Sequence, residues 1–180
     1  MLEIVVLQVK ERLCGMFSIG QKVICGNKGV CIIEDITTLD IPGVDKAKEY
    51  YILKPIYISA STVYVPVDSA LTSMRMILSK KEAQELIRAI PEIPTLEIKN
   101  ERLLEQDYKA CMKTNVCEQW VKLIKTIYER KQERLQAGRK ETAIDSKYFR
   151  IAEDVLYGEL AVALDMERDQ ISQYIIEQLK

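Results

Sequence analysis

The chain of 180 residues contains no histidine, and that absence narrows the chemistry it can perform. Without an imidazole, Ser-His and Cys-His nucleophile pairs are excluded, together with the commonest general acid or base and the commonest metal ligand. Net charge is also nearly absent, because 26 basic and 27 acidic residues leave a formal charge of −1. The chain as a whole is therefore not drawn to nucleic acid or to an acidic membrane surface.

Metal-binding cysteine motifs are missing as well. The five cysteines include no C-x-x-C pair, and the spacings from Cys25 to Cys31 and from Cys111 to Cys117 are wider than zinc knuckles use. We interpret these cysteines as reduced thiols of a cytosolic protein, four of them packed as small hydrophobic residues. We predict no metal and no other cofactor.

A long apolar run is lacking too, since the run within residues 1–15 is too short to span a bilayer. No basic residue precedes it, so it matches a signal peptide poorly. A strand pattern opens after Met16. We therefore expect residues 1–15 to form a disordered leader outside the fold, and we predict no membrane association.

From Phe17 to Leu78 the sequence is typical of short β-strands. The tetrapeptide Gly26-Asn27-Lys28-Gly29 separates two β-branched runs and predicts a hairpin-like turn, because its residues tolerate positive φ. About five short strands without an intervening helix predict a small curled sheet or barrel of the SH3 or Tudor kind.

The segment Ser61–Asp68 is the main candidate for a binding surface in this strand region. Valines alternate there with Tyr64 and Pro66, which predicts a strand with one buried face. Pro66 has no N–H for a ladder and so favours an edge strand. Such an edge either accepts a partner's strand by β-augmentation or is closed off by its own loop.

Helical periodicity begins at Ser79, which with Glu82 forms a capping box, and Pro91 and Pro94 predict the end of that helix and a linker. Further helices are expected after Asn100, from a cap at Asn115 with Glu118 to Gly138, over residues 143–164 and over residues 166–179, with Asp165 as a cap between these last two. Their apolar stripes predict core positions for Trp120, Tyr128, Phe149 and Tyr157.

These patterns predict an α+β protein with an N-terminal small Tudor/SH3-like β-barrel followed by a C-terminal all-helical domain. The predicted boundaries are a leader over residues 1–15, a β-rich domain over residues 16–78, a helix and linker over residues 79–95, and a helical domain over residues 96–180.

Charge is unevenly distributed along the helical half. Residues 109–150 contain 11 basic and 5 acidic side chains, whereas residues 151–180 contain 2 and 7. The basic cluster could neutralise backbone phosphates, or it could be a solvated helix face. It comprises Arg130, Lys131, Arg134, Arg139, Lys140, Lys147 and Arg150.

Several motifs, in their order along the chain, resemble the CarD/CdnL family of bacterial transcription regulators. In the β-rich half these are the Phe17-x-x-Gly20 opening, the turn over residues 26–29, the strand Glu49-Tyr-Tyr-Ile-Leu53 and the strand Thr62-Val-Tyr-Val-Pro-Val67. In the helical half they are Asp107-Tyr-Lys-Ala110, Arg130-Lys-Gln-Glu-Arg134 and Gly158-Glu-Leu-Ala-Val-Ala-Leu164.

The resemblance implies two binding surfaces. The family's N-terminal module, shared with the transcription-repair coupling factor, docks on the RNA polymerase β subunit by a strand-to-strand contact. Here that contact would involve Leu39, Thr62, Val63, Tyr64, Val65 and Pro66. The family's helical domain lies on promoter DNA, mostly on its backbone and minor groove. Here that surface would comprise Leu104, which stands where many relatives carry a wedging tryptophan, with Lys109, Arg139, Lys140, Lys147 and Arg150.

The resemblance therefore implies a non-enzymatic transcription regulator that binds the RNA polymerase β subunit and stabilises the promoter open complex. We expect it to be a cytoplasmic monomer, associated with the nucleoid through RNA polymerase. The alternative is a β-barrel protein-interaction adaptor with a helical scaffold and no DNA role. An enzyme is the third hypothesis, and no motif places a catalytic carboxylate or cysteine.

Overall fold

The computed structural model of the chain describes residues 17–57, 62–98 and 100–179. The expected leader, with Cys14, and Ser61 of the candidate edge segment lie outside these ranges. Within them, a five-stranded antiparallel sheet comes first and helices follow, which confirms the predicted α+β class. We refer to residues 17–78 as the sheet domain and to residues 80–179 as the helical part.

The sheet is built from five short strands in the order β4-β3-β2-β1-β5, with every neighbouring pair antiparallel. Among the described residues, β4 and β5 stand at its two edges and do not pair with each other. The described strands therefore form an open sheet and do not close into a barrel. The strands are β1 (Lys22–Cys25), β2 (Val30–Thr38), β3 (Glu49–Pro55), β4 (Val63–Pro66) and β5 (Met74–Met76).

The turn between β1 and β2 forms where the glycines predicted it. A single 3-10 turn covers Gly26–Lys28, and the Cys25 amide donates to the Gly29 carbonyl at 3.0 Å. Gly26 and Gly29 have φ of +48° and +67°, a region that residues with a Cβ enter at a cost. This tight turn leads β2 back beside β1 and carries Lys28 to the surface.

The inner face of the sheet domain has its own apolar core. Phe17 and Tyr51 meet edge to face there, with ring centroids 5.9 Å apart. The strands contribute alternate residues to this core, because successive side chains of a strand lie on opposite faces of the sheet. Its buried members are Phe17, Val23, Cys25, Cys31, Ile33, Tyr51, Leu53, Val65, Ala70 and Met74.

The described residues include six α-helices. The helix α1 is a single turn between β4 and β5, and the others make up the helical part. The bounds are α1 (Ala70–Ser73), α2 (Lys80–Ala89), α3 (Leu104–Lys113), α4 (Cys117–Gln136), α5 (Ala143–Leu164) and α6 (Ile171–Gln178). Single 3-10 turns precede α1, α3 and α6, at Val67–Ser69, Glu101–Leu103 and Arg168–Gln170.

Two predicted helix ends have the expected chemistry. At the start of α2, the Glu82 amide donates to Ser79 Oγ at 3.2 Å while the Ser79 amide donates to Glu82 Oε2 at 2.7 Å, which is a complete capping box. At the end of α4, Gly138 has φ of +70°, and the Arg139 amide donates to the Arg134 carbonyl at 2.8 Å. This is the Schellman arrangement that a glycine after a helix favours.

Of two other predicted caps, one is wrong and one is confirmed. Asn115 does not cap α4, whose N-cap is Val116; Asn115 instead adopts the left-handed conformation with φ of +57°. Asp165 is the C-cap of α5, as predicted for the boundary between the last two helices, and it too is left-handed, with φ of +55°. Asparagine and aspartate are the non-glycine residues that tolerate this region best, so the same side chains suit a reversal as well as a cap.

The aromatic predictions for the helical part hold in three cases of four. Trp120 is fully buried, and Phe149 and Tyr157 are half-buried against the core. Tyr128 is 56% exposed, so its expected core position is wrong. Its neighbour Ile127 is 1% exposed, so the buried stripe of α4 passes through Ile127 and leaves Tyr128 outside it.

A second apolar cluster crosses the boundary between the sheet domain and the helical part. Ile24 and Val30 of the sheet are buried in the same cluster as Trp120, Leu160 and the α2 residue Ile87. All five are at most 2% exposed. Because the cluster is continuous across the boundary, the two parts of the chain pack as one body, and α2 belongs to that body rather than to a linker.

Candidate functional site

β4 lies at an edge of the sheet, as its alternating pattern and Pro66 predict. On one side it pairs with β3, where Tyr64 lies opposite Ile52 and Val65 opposite Tyr51. Its other side pairs with no strand in the described part of the chain. The alternative, in which this edge is closed off by its own loop, stays a prediction. A strand edge in this state has backbone groups that a partner strand can use.

The side chains of β4 divide between core and solvent. Val65 is 5% exposed and packs in the sheet core, whereas Tyr64 is 43% exposed on the opposite face. Val63 and Pro66 are half-buried, and Thr62 just before the strand is exposed. The buried Val65 and the half-buried Val63 therefore anchor the strand to the sheet core. Tyr64 presents an aromatic ring to solvent beside the open edge.

Leu39 does not offer its side chain to a partner. It follows the end of β2 and is 8% exposed, so an apolar contact from this position is not available at the surface. A partner could reach only its backbone. This corrects the expectation that Leu39 supplies an apolar side chain to the docking surface.

A buried ion pair joins the sheet domain to the helical part. Arg75 of β5 donates from Nη1 to Glu159 Oε1 at 2.5 Å and from Nη2 to Glu159 Oε2 at 2.7 Å. Glu159 lies on α5 with no exposed side-chain surface, and the Leu78 amide donates to its Oε1 at 3.0 Å. A bidentate contact of this kind fixes both distance and orientation between β5 and α5.

Further contacts surround this pair. Arg75 Nε donates to the Asn115 carbonyl at 2.5 Å, and the guanidinium lies 5.3 Å from the centre of the Trp120 ring. The Cys117 thiol donates to Glu159 Oε2 at 2.9 Å. Burial, and then the charge of Glu159, raises the pKa of Cys117, so this thiol is a structural hydrogen-bond donor and not a reactive thiolate.

A basic cleft of about 630 Å³ lies between the sheet domain and the helical part. Its sheet side includes the turn that carries Lys28 together with Val63 and Val65 of β4. Its helical side is formed by α3 and α5. Four lysines line this interdomain cleft, and none of its lining residues in the described chain is acidic. They are Lys28, Lys109, Lys113 and Lys147.

Two of these lysines share one carboxylate at the rim. Lys147 Nζ lies 3.2 Å and Lys109 Nζ 3.3 Å from Glu105 Oε1, and Tyr148 Oη donates to the same oxygen at 3.1 Å. The hydrogen bonds from Lys147, Lys109 and Tyr148 lower the pKa of Glu105. The carboxylate therefore stays ionised near neutral pH and partly offsets both lysine charges.

Residues 17–78 match the family model of the CarD-like/TRCF RID domain. The sheet domain is therefore similar to CarD-like/TRCF RID domains, and we refer to it below as the RID domain. The match takes in all five strands and ends at Leu78, so it covers 62 of the 180 residues. It confirms the predicted resemblance over this part of the chain and supports RNA polymerase as a partner in a transcription-related role. RID domains of this kind are not enzymatic in general.

The remaining comparisons add little. No curated protein matches the chain. Among the helices of the described residues, none has the length and apolar character needed to cross a membrane. The helical part lies outside the residues that the family model matches.

The predicted DNA-facing residues do not all line the interdomain cleft. Lys109 and Lys147 meet at the interdomain cleft, and Arg150 lies three residues after Lys147 on α5 with its side chain 86% exposed. Arg139 and Lys140 lie in the exposed loop between α4 and α5 and do not line the cleft. Of this set, Lys109 and Lys147 line the cleft beside the RID domain.

Leu104 occupies the core instead of the surface. It is 3% exposed and packs in the cluster that contains Tyr108 and Trp120. Its spacing of four residues from Tyr108 places both side chains on the same inward face of α3. A wedge role would require Leu104 to leave this core, so the placement does not support that assignment.

Arg130 of the basic cluster is held by carboxylates. Its guanidinium lies 2.6 Å from Glu101 Oε1, and its Nε lies 3.4 Å from Asp145 Oδ1. The Tyr108 hydroxyl donates to the same Asp145 oxygen at 2.9 Å. The hydrogen bond from Arg130 lowers the pKa of Glu101. Arg130 therefore connects the start of α3, α4 and α5.

Sequence reasoning missed Arg75, Glu159, Lys28 and Lys113. One signal for Glu159 was present, since it is the only acidic residue between Leu156 and Leu164 in an otherwise apolar helical run. A carboxylate in such a run is seldom buried without a partner. Its partner lies 84 residues earlier, and no periodicity indicates which arginine that is.

Proposed function

We propose that the protein is a non-enzymatic transcription regulator that binds the β subunit of RNA polymerase through β4 and stabilises the promoter open complex through its helical part. The observation that carries the first half is an RID domain whose strand β4 has an edge unpaired by any described strand, next to the exposed Tyr64. The second half rests on the lysines of the interdomain cleft.

Strand addition at β4 explains how a short segment can bind with useful affinity. A partner strand would pair with the backbone of Val63–Pro66, each net hydrogen bond contributing about 1 kcal/mol. The buried Val65 keeps the strand in place before binding, so little ordering entropy is lost. Tyr64 would add apolar contact and help select the partner strand.

DNA contact would be made mainly with phosphates. Lys109 and Lys147 are exposed on neighbouring helices and are suited to contact the backbone without reading base sequence. Because Leu104 is buried, we do not include a wedge in the proposal. A regulator of this type shifts the opening equilibrium only by the difference between its affinities for open and closed promoter.

The Arg75–Glu159 pair fixes the orientation of the RID domain, with its β4 edge, relative to the helical part, with its lysines. A regulator that touches polymerase and DNA together benefits when binding at one surface places the other at high effective concentration. That benefit depends on a defined geometry between RID domain and helical part. The buried pair and the shared core supply such a geometry.

The β4 assignment is tested by co-elution of the full chain with RNA polymerase and with an isolated lobe of its β subunit. Tyr64→Glu places a charge beside the docking edge and is expected to abolish co-elution. Tyr128→Glu is the matched control, because Tyr128 is an exposed tyrosine on α4, far along the chain from β4. Equal binding by the two variants would contradict the assignment.

The second candidate is a protein-interaction adaptor with no DNA role. Two observations support this second candidate: the burial of Leu104 and the partial neutralisation of Lys109 and Lys147 by Glu105. Open-complex lifetime on a promoter distinguishes the two. The regulator lengthens that lifetime, whereas the adaptor leaves it unchanged while still binding a protein through β4. In either case a protein bound to RNA polymerase would be located on the nucleoid, because the polymerase itself is bound to DNA there.

A further inference from the structure

The interdomain cleft contains two lysines that differ from Lys109 and Lys147 in their surroundings. Lys28 lies in the turn between β1 and β2 of the RID domain, and Lys113 lies at the end of α3. Both are exposed, and neither forms an ion pair with a carboxylate in the described part of the chain. Their charges are therefore not offset in the way that Glu105 offsets the other pair.

The arrangement of these charges fits a phosphate backbone. Lys109 and Lys113 are one helical turn apart, which sets them about 6 Å from each other along α3. Lys28 lies across the cleft from α3, since the turn that carries it contacts that helix. The floor between them is largely apolar, with Met112, Val63 and Val65. Positive charge thus lines an open track with no acidic residue among its lining residues.

We propose that the interdomain cleft binds the phosphate backbone of promoter DNA and that Lys28 of the RID domain and Lys113 are its main cationic contacts. This inference rests on the proposed function and extends its DNA surface from the helical part onto the polymerase-binding domain. A cleft of about 630 Å³ is too small to admit a duplex. One strand would therefore follow the cleft, with its phosphates towards the lysines.

The position of the cleft links the two partners. Val63 and Val65 of β4 line it from one side, so DNA held in the cleft would lie next to a polymerase strand docked on β4. A basic side chain on the RID domain would then contact DNA beside the polymerase surface. Phosphate contacts of this kind position the protein and carry no sequence information.

The test uses the full chain without polymerase and a fluorescent promoter duplex with a melted segment. Affinity is measured by anisotropy over a range of salt concentrations for Lys28→Gln, Lys113→Gln and the double variant. Each lost contact with a single-strand phosphate should lower the slope of log K against log salt by about 0.7 in magnitude, and the double variant by about 1.4. Thermal unfolding of each variant should match the wild type, because both side chains are exposed.

Two controls make the outcome specific. Lys22→Gln removes an exposed lysine of the RID domain that does not line the cleft, and it should leave the slope unchanged. Lys109→Gln/Lys147→Gln tests the DNA surface of the proposed function. If that double variant lowers the slope while Lys28→Gln and Lys113→Gln behave like Lys22→Gln, the inference is overturned and the proposed function stands. If no variant changes the slope, both fail.

Discussion

At the scale of single residues, the most consequential side chain is Glu159. It is fully buried on α5, and its two oxygens accept hydrogen bonds from Arg75, Cys117 and the Leu78 amide. A buried carboxylate costs several kcal/mol of desolvation, about as much as a good pair returns. The pair is therefore better understood as fixing geometry than as adding stability.

Removing one partner of this pair should be strongly destabilising. Glu159→Gln keeps the shape but leaves the Arg75 guanidinium without a counter-charge, and we expect it to lower the free energy of unfolding by about 3 kcal/mol. This is the low end of the usual range, because the Arg75 side chain is 25% exposed. Urea unfolding of the full chain at neutral pH measures the difference.

The control is Glu85→Gln, which removes the exposed i,i+4 partner of Lys81 and should cost at most about 0.5 kcal/mol. Replacing the pair by Arg75→Met/Glu159→Leu should recover much of the loss, because no charge is then left unpaired. A cost for Glu159→Gln as small as that of the control would contradict the role assigned to the pair.

At the scale of elements, local sequence patterns predicted structure well where local chemistry decides it. Alternation and Pro66 located the edge strand β4, and Ser79 with Glu82 located the start of α2. The same chemistry misled where one residue type suits two conformations. Asparagine is a good N-cap and also tolerates the left-handed region. Asn115 adopts the left-handed conformation, and in it the carbonyl accepts a hydrogen bond from Arg75.

The capping box of α2 should make stability depend on pH. Hydrogen bonds from Ser79 lower the pKa of Glu82 from its ordinary value of 4.5. A carboxyl whose pKa is lowered in the folded state stabilises the fold above its ordinary pKa. That contribution disappears as the pH falls through the lowered folded value. Wild type should thus be more stable than Glu82→Gln at pH 7.

Urea unfolding of both proteins between pH 7 and pH 3 tests this expectation. The difference between wild type and Glu82→Gln should shrink only below pH 4.5 and approach zero at the acid end. Glu85→Gln, on the same helix but outside the capping box, should show a smaller difference throughout. A difference that is constant with pH would exclude the ionised carboxylate as its source.

At the scale of the whole molecule, RID domain and helical part form a single packed body. Gly29 lies against Val155, and Tyr57 lies against Gly158, so the sheet and α5 approach closely at two glycines. The sequence could not reveal this packing, since its contacts join residues 126 and 101 positions apart and follow no local period. The interdomain cleft, with lysines from three elements, was hidden for the same reason.

The close approach at Gly158 yields a further prediction. A Cβ at this position would lie 2.9 Å from Tyr57 Cδ2, which is too close without movement of the ring. Gly158→Ala gains up to about 1 kcal/mol of helix propensity, whereas overpacking typically costs about 1–3 kcal/mol. We expect a net loss of about 1 kcal/mol in the free energy of unfolding.

The Tyr57→Ala background separates these two effects. Without the ring, Gly158→Ala should stabilise the chain, as glycine replacement within a helix usually does. Thermal or urea unfolding of the two single variants and the double variant completes the cycle. Stabilisation by Gly158→Ala in the presence of Tyr57 would show that RID domain and α5 are not packed tightly at this point.

The central claim is that RNA polymerase adds a strand to the open edge of β4. Amide hydrogen exchange of the chain with and without an isolated lobe of the polymerase β subunit tests it most directly. The account predicts new protection in residues 62–65, with the largest gain for amides that face away from β3, and no such gain in Tyr64→Glu. Binding that leaves these amides unprotected, or that protects the β5 edge instead, would contradict the claim.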